Sequence, residues 1–173
     1  LNKGMSMGLS KQELYRKASE QGFKYRQEHD ASVPIIAMGH LHLDGGIESK
    51  DSERRLIIGG AEAVTIEMFS DELAYVALGH LHKAQEFQAG RIRYSGSPLP
   101  LSFTEMPYSH QIVQLKFDGQ NVVDSECLSV PRSVELLSVP ASGYAPIGDV
   151  LRAITELELV DQPVAEKQPY LEV

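Results

Sequence analysis

The sequence predicts an α/β fold of mixed α+β character, and three observations predict it. Two apolar runs, Pro34-Ile35-Ile36-Ala37-Met38 and Ala74-Tyr75-Val76-Ala77-Leu78, have the length and composition of buried strands. Gln111 to Phe117 alternates apolar with polar residues and turns through Asp118-Gly119-Gln120-Asn121 into Val122–Val130, as a half-buried hairpin does. Apolar residues recur at helical spacing near both ends of the chain, within 11–28 and 149–159.

In chain order, Ser10 followed by Glu13 is a capping-box signature. Beyond it Leu14, Ala18 and Tyr25 fall near one helical face, so a helix is expected from Lys11 to Glu28. His29-Asp30-Ala31-Ser32 reads as a linker into the first buried strand, Pro34 to Met38. Residues 43–55 are polar, with Gly45-Gly46, and form the loop at that strand's exit. A short strand is expected at Arg55–Gly59, a mixed segment at 61–69, and the second buried strand at Leu73–Leu78. Ala89-Gly90 marks a hairpin turn between 87–88 and 91–95. After the hairpin of 111–130, Pro131 and Pro140 bracket a strand at Ser133–Ser138. The character changes at Ala141: Ser142-Gly143-Tyr144-Ala145-Pro146 is linker-like, and Val150, Leu151, Ile154 and Leu157 give the next segment an amphipathic helix. A boundary near Pro140 divides the chain into 1–140 and a small α+β piece, 141–173.

Composition narrows the function classes. The 173 residues suffice for one domain with a real core, and 42% hydrophobic against 23% charged residues is a globular balance. No apolar run approaches the roughly 18 residues that cross a bilayer, and no signal peptide opens the chain. One cysteine, Cys127, excludes an internal disulfide framework and fits a reducing compartment, so a cytoplasmic placement is expected. A net charge of -8 argues against a domain that grips nucleic acid through its own surface charge.

Both buried runs end in the same phrase, Gly39-His40-Leu41-His42 and Gly79-His80-Leu81-His82, which holds four of the six histidines. Alternate strand residues point the same way, so His-x-His can present two imidazoles to one volume. Neutral imidazole is the commonest ligand for transition metals. A single Gly-His after a strand is ordinarily a packed histidine bonding a carbonyl. Two such endings shift the balance, since nothing in packing asks for glycine then histidine at both exits. His40, His80 and His82 are therefore the candidate metal ligands. His42 is expected to stand behind them or at the surface, and His29 and His110 to be structural. Asp44 is the nearest carboxylate, but acids in glycine-rich loops are normally solvated, and no other acid has ligand-like spacing.

The phrase from Tyr75 to Gln85, followed by Tyr94-Ser95-Gly96-Ser97-Pro98, resembles the calcineurin-like metallophosphoesterases. Within them it is similar to the SbcD-type DNA-repair nucleases and their Mre-type relatives, with further agreement at 59–64 and 97–103. The resemblance implies a four-layered sandwich of sheets and helices, of which this chain would supply half. His40 and His80 would ligate one metal and His82 the other, with His42 an extra. It implies two Mn2+ ions, or other divalent metals, about 3.5–4 Å apart in a site that makes hydroxide near neutral pH. The implied reaction is exonuclease and endonuclease hydrolysis of DNA phosphodiesters, in break and hairpin processing during repair, recombination and replication. The implied partners are DNA, an SbcC-type ATPase subunit and a second copy of the nuclease subunit.

The family's Asp-x-His, Gly-Asp-x-x-Asp and Gly-Asn-His-Asp motifs appear nowhere in these residues. The chain is thus expected to be the C-terminal portion of the nuclease domain, 1–140, followed by the truncated start of a capping domain, 141–173. Alone it is expected to be inactive, and to self-associate through exposed sheet surfaces. Two other readings stay open: a metallophosphoesterase for nucleotides or phosphoproteins, and a non-catalytic scaffold whose histidines hold structural zinc. Closed zinc sites often use thiolates, and one cysteine fits that poorly.

Overall fold

Ser10 opens the first helix as its sequence predicts: its hydroxyl accepts from the Glu13 amide at 3.2 Å, and Glu13 Oε2 accepts from the Ser10 amide at 3.0 Å. In this computed structural model, which describes residues 10–50, 52–53, 63–157 and 167–173, that helix is α1, Lys11–His29. The strand expected at Arg55–Gly59 and the resembling residues 59–62 lie outside the described residues. Tyr15 and Phe23 turn the helix's inner face onto the core.

Five strands follow before the hairpin's return: β1 Ile36–His40, β2 Tyr75–Gly79, β3 Gln85–Phe87, β4 Ile92–Tyr94 and β5 Gln111–Asp118. The first four make one sheet in the order β1-β2-β4-β3. β1, β2 and β4 run parallel, and β3 is antiparallel to β4. The β3–β4 connection places Gln88, Ala89 and Gly90 at φ of 50, 53 and 87°, the left-handed turn that Ala89-Gly90 suggested.

The two apolar runs differ in burial. β2 is buried, with Tyr75, Val76 and Leu78 in the core. β1 is not the buried strand expected from its composition: Ile36 is 43% and Met38 78% exposed. It is an end strand of the sheet, and its face carrying Ile36, Met38 and His40 lies open while Ala37 packs inward.

The core gathers Leu41, Leu43, Val64, Phe69, Leu73, Val76, Leu78, Leu81, Ile92 and Tyr94. Tyr94 is fully buried, and its hydroxyl donates to the Leu41 carbonyl at 2.8 Å and accepts from the Leu43 amide at 2.9 Å. Burial pushes its pKa up to about 12. Because the phenol ionises harder folded than unfolded, its contribution is whole below pH of about 10 and is lost as pH climbs toward 12. Urea unfolding should therefore lose up to about 2–3 kcal/mol between those limits. Tyr94→Phe should flatten that alkaline decline while costing about 1–3 kcal/mol at neutral pH through the unpaired Leu41 and Leu43 groups.

β5 pairs antiparallel with β6, Asn121–Ser129, through the Asp118–Asn121 turn, with inward and outward residues alternating along β5. Gly119 takes the turn's positive φ of 56°. Beyond it, β7 covers only Leu136–Ser138 of the strand expected from 133, and it pairs parallel with β8, Tyr170–Glu172. Between them lies α2, Ile147–Thr155, which buries Val150 but exposes Ile147 and Leu151. No helix among the described residues is long and apolar enough to cross a membrane.

Candidate metal centre

Parallel pairing of β1 with β2 sets the site. Their register aligns His40 with Gly79, so both Gly-His-Leu-His phrases leave the sheet at the same edge. The leucine in each phrase is an anchor: Leu41 is 4% and Leu81 2% exposed, and both belong to the core. With the leucines turned inward, the histidines on either side are displayed at the edge. The His40 and His80 rings stand edge to face with centroids 5.3 Å apart, and the His42 ring lies 6.3 Å from that of His80.

Packing does ask for glycine at both exits, contrary to expectation. A Cβ at Gly79 would sit 3.1 Å from His40 Nδ1, so this glycine leaves room for the neighbouring imidazole. A Cβ at Gly39 would sit 2.2 Å from Tyr15 Oη, so that glycine admits the helix. His80 itself takes φ of 108°, a conformation that costs a non-glycine residue about 1–3 kcal/mol and occurs where surroundings impose it. Burial is the main influence that lowers the His80 pKa, followed by the charges of His40 and His42; together they outweigh the opposing pull of Glu53 and Glu48. The neutral ring, with its lone pair, is the favoured form.

His82 is engaged differently. Its Nδ1 lies 2.7 Å from Glu105 Oε1 and 2.9 Å from Ser52 Oγ, and its amide donates to Glu53 Oε1 at 2.8 Å. Glu53 also accepts from the Ser49 amide at 2.6 Å, tying the loop after β1 to the exit of β2. His42 Nδ1 pairs with Glu48 at 3.1 Å, and Asp44 is exposed. His110 is buried with Nδ1 on the Ser97 carbonyl at 2.9 Å, while His29 stacks on Tyr25 at the end of α1.

Glu105, Ser52, Glu53 and Tyr94 were not visible as site residues in the sequence. One signal existed for Glu105: a lone carboxylate in the otherwise uncharged run 97–108, just after the Gly-Ser-Pro segment. That segment serves both phrases physically. The Tyr94 hydroxyl grips the first, the Ser97 amide donates to the His82 carbonyl at 2.9 Å, and Gly96 rests against the same carbonyl.

The donor set suits a divalent transition metal in kind: imidazoles at a half-open edge, one held by a buried carboxylate. Among the described residues, however, no group of three or more His, Cys, Asp or Glu is drawn together tightly enough to hold an ion.

Over 135 residues the chain is 45% identical to the SbcD component of the SbcCD nuclease of Rhodobacter capsulatus, covering 78% of this chain and 33% of that protein. Over most of its length this chain is similar to the SbcD-type nuclease subunits. The SbcD protein of Bacillus subtilis is 46% identical over 79 residues, which are 44% of this chain and 20% of that protein. That of Escherichia coli K12 is 39% identical over 103 residues, 59% of this chain and 25% of the relative. The chain thus spans a third or less of the length of these SbcD relatives. No family model matches it.

Proposed function

We propose that this chain contributes half of a two-metal phosphodiesterase centre in the nuclease component of an SbcCD-type complex, acting on DNA with an SbcC-type partner. The observation that carries the proposal is the meeting of two Gly-His-Leu-His exits at one sheet edge, with the rings of His40 and His80 side by side. His40 and His80 hold one Mn2+, and His82 the other; His42 stands behind them, braced by Glu48. Bound divalent ions supply Lewis-acid polarisation of the phosphoryl oxygens and a hydroxide nucleophile. The chain's own residues do three things. The imidazoles offer nitrogen donors, Glu53 and Glu105 fix the His82 backbone and ring, and the Tyr94–Ser97 segment keeps both phrases in register. None of the histidines is assigned a proton transfer.

The remaining ligands are assigned to the three acidic and histidine motifs that residues 1–173 do not contain, and the chain by itself is inactive. In this reading the sheet is part of a four-layered sandwich, with 1–140 in the nuclease domain and 141–173 beginning a capping domain. The pairing of β7 with β8 joins Leu136–Ser138 to Tyr170–Glu172 across that boundary. The exposed Ile36 and Met38 on β1 support self-association of the chain when isolated.

The test is Mn2+ titration of the purified chain by calorimetry and paramagnetic broadening. Ring signals of His40 and His80 should broaden first, and His40→Ala with His80→Ala should weaken Mn2+ binding at least tenfold, whereas His29→Ala should not change it. A double variant that binds Mn2+ as the parent does would overturn the assignment. DNA cleavage by the isolated chain that depends on Mn2+ would overturn its inactivity.

A further inference from the structure

Glu105 is the most completely buried acid among the described residues, at 0% exposure, and no catalytic scheme built on the histidines alone uses it. Its surroundings define what it does. Oε2 accepts from the Leu101 amide at 3.0 Å, while Oε1 faces both the Ser52 hydroxyl and His82 Nδ1. A carboxylate offers only acceptors here, so the single Ser52 proton is committed to Glu105. Ser52 Oγ, 2.9 Å from His82 Nδ1, can then only accept from that nitrogen. Both neighbours of Nδ1 are acceptors, and Nδ1 must carry the ring proton.

We infer that Glu105 is a positioning residue that fixes His82 as the Nδ1–H tautomer, leaving Nε2 bare as the nitrogen available to a divalent metal. The inference rests on the proposed role of His82 as a ligand, but the tautomer itself can be read without metal. The carboxylate comes from the turn Phe103–Glu105, which follows the Gly-Ser-Pro segment. The segment and the turn after it thus supply a backbone brace, through Ser97, and a side-chain brace, through Glu105, to the same histidine. A ring fixed this way needs no reorientation when a cation arrives. Carboxylates behind metal-bound histidines typically account for 10–100-fold in metal affinity.

Glu105→Gln is the informative change, because an amide cannot satisfy both sides. With its oxygen toward His82, its NH2 opposes the Leu101 N–H. Flipped, its oxygen serves Leu101 and its NH2 donates to Nδ1, forcing the proton to Nε2. Long-range 15N–1H correlation on the intact chain, with His82 assigned by comparison with His82→Gln, reads the tautomer directly. The expected result is protonated Nδ1 and bare Nε2 in the parent, a switch to Nε2–H in Glu105→Gln, and Mn2+ affinity lower by 10–100-fold. Glu105→Asp, which restores a carboxylate, should return the parent tautomer. A parent chain with the proton on Nε2, which needs no variant to fold, overturns the inference. So does a folded Glu105→Gln chain that keeps both the parent tautomer and a Leu101 amide as protected from hydrogen exchange as in the parent, since an amide cannot satisfy both sides. If the tautomer behaves as expected but the His82 signals never broaden with Mn2+, the positioning role stands and the ligand role of His82 falls.

Discussion

Gly96→Ala is expected to destabilise the chain by about 2–5 kcal/mol and to displace His82. Gly96 sits at φ of 85°, and a Cβ there would lie 2.7 Å from the His82 carbonyl oxygen and 2.9 Å from the Ala84 amide nitrogen. Positive φ alone costs an alanine about 1–2 kcal/mol. The rest comes from overlap with backbone atoms, which cannot swing aside as a side-chain tip can; such overpacking costs about 1–3 kcal/mol. Relief would require the strand exit at His82 to move away from the loop, breaking the Ser97 amide bond to the same carbonyl. Gly119→Ala is the internal control, since Gly119 also has positive φ, 56°, but its nearest neighbour to a new Cβ is Ser32 O at 3.7 Å. Urea denaturation of both variants separates the two contributions, and hydrogen exchange at the Ser97 amide reports the displacement. Equal costs for the two variants would show that close approach to His82 is not what demands glycine at 96.

The same loop shows what could be read from the sequence and what could not. The capping box at Ser10 and Glu13, the Asp118–Asn121 hairpin and the buried run of β2 were legible because each is decided by residues within a few positions of one another. The nearness of His40 and His80 was legible only as a coincidence of phrases; what realises it is a parallel pairing between strands 39 positions apart in register. Exposure of β1 was not legible, because an apolar run carries no mark of whether anything covers its second face. Glu105 was hidden for a related reason: it meets His82 across 23 residues of chain, through a turn with no periodicity to announce it. Local chemistry wrote the elements, and long-range packing chose which polar groups would face the histidines. The Gly-Ser-Pro segment, recognisable in sequence only by likeness, proves to be the brace common to both phrases.

Gly39 offers the second large effect, and it separates packing from function at the first histidine phrase. Its backbone is not in the left-handed region, so Gly39→Ala meets only a steric cost. The new Cβ would overlap Tyr15 Oη at 2.2 Å, with Cζ at 3.1 Å and Leu41 Cδ2 at 3.3 Å behind it. Tyr15 is a rigid ring set edge-on to Phe69 with centroids 5.8 Å apart, so moving its hydroxyl means shifting the ring or all of α1. A loss of about 1–3 kcal/mol is expected in urea unfolding. Tyr15→Phe alone should be nearly neutral, because no hydrogen bond of its hydroxyl contributes among the described contacts and burial already disfavours its ionised form. In the Tyr15→Phe background, Gly39→Ala should cost less by about 1–2 kcal/mol, the coupling expected of two groups competing for one space. Since Gly39 directly precedes His40, the single variant should also shift the His40 ring against His80, visible as changed nuclear Overhauser contacts between them. If Gly39→Ala is equally costly with and without the Tyr15 hydroxyl, helix packing is not the reason for glycine at this exit, and the residue belongs to the histidine edge instead.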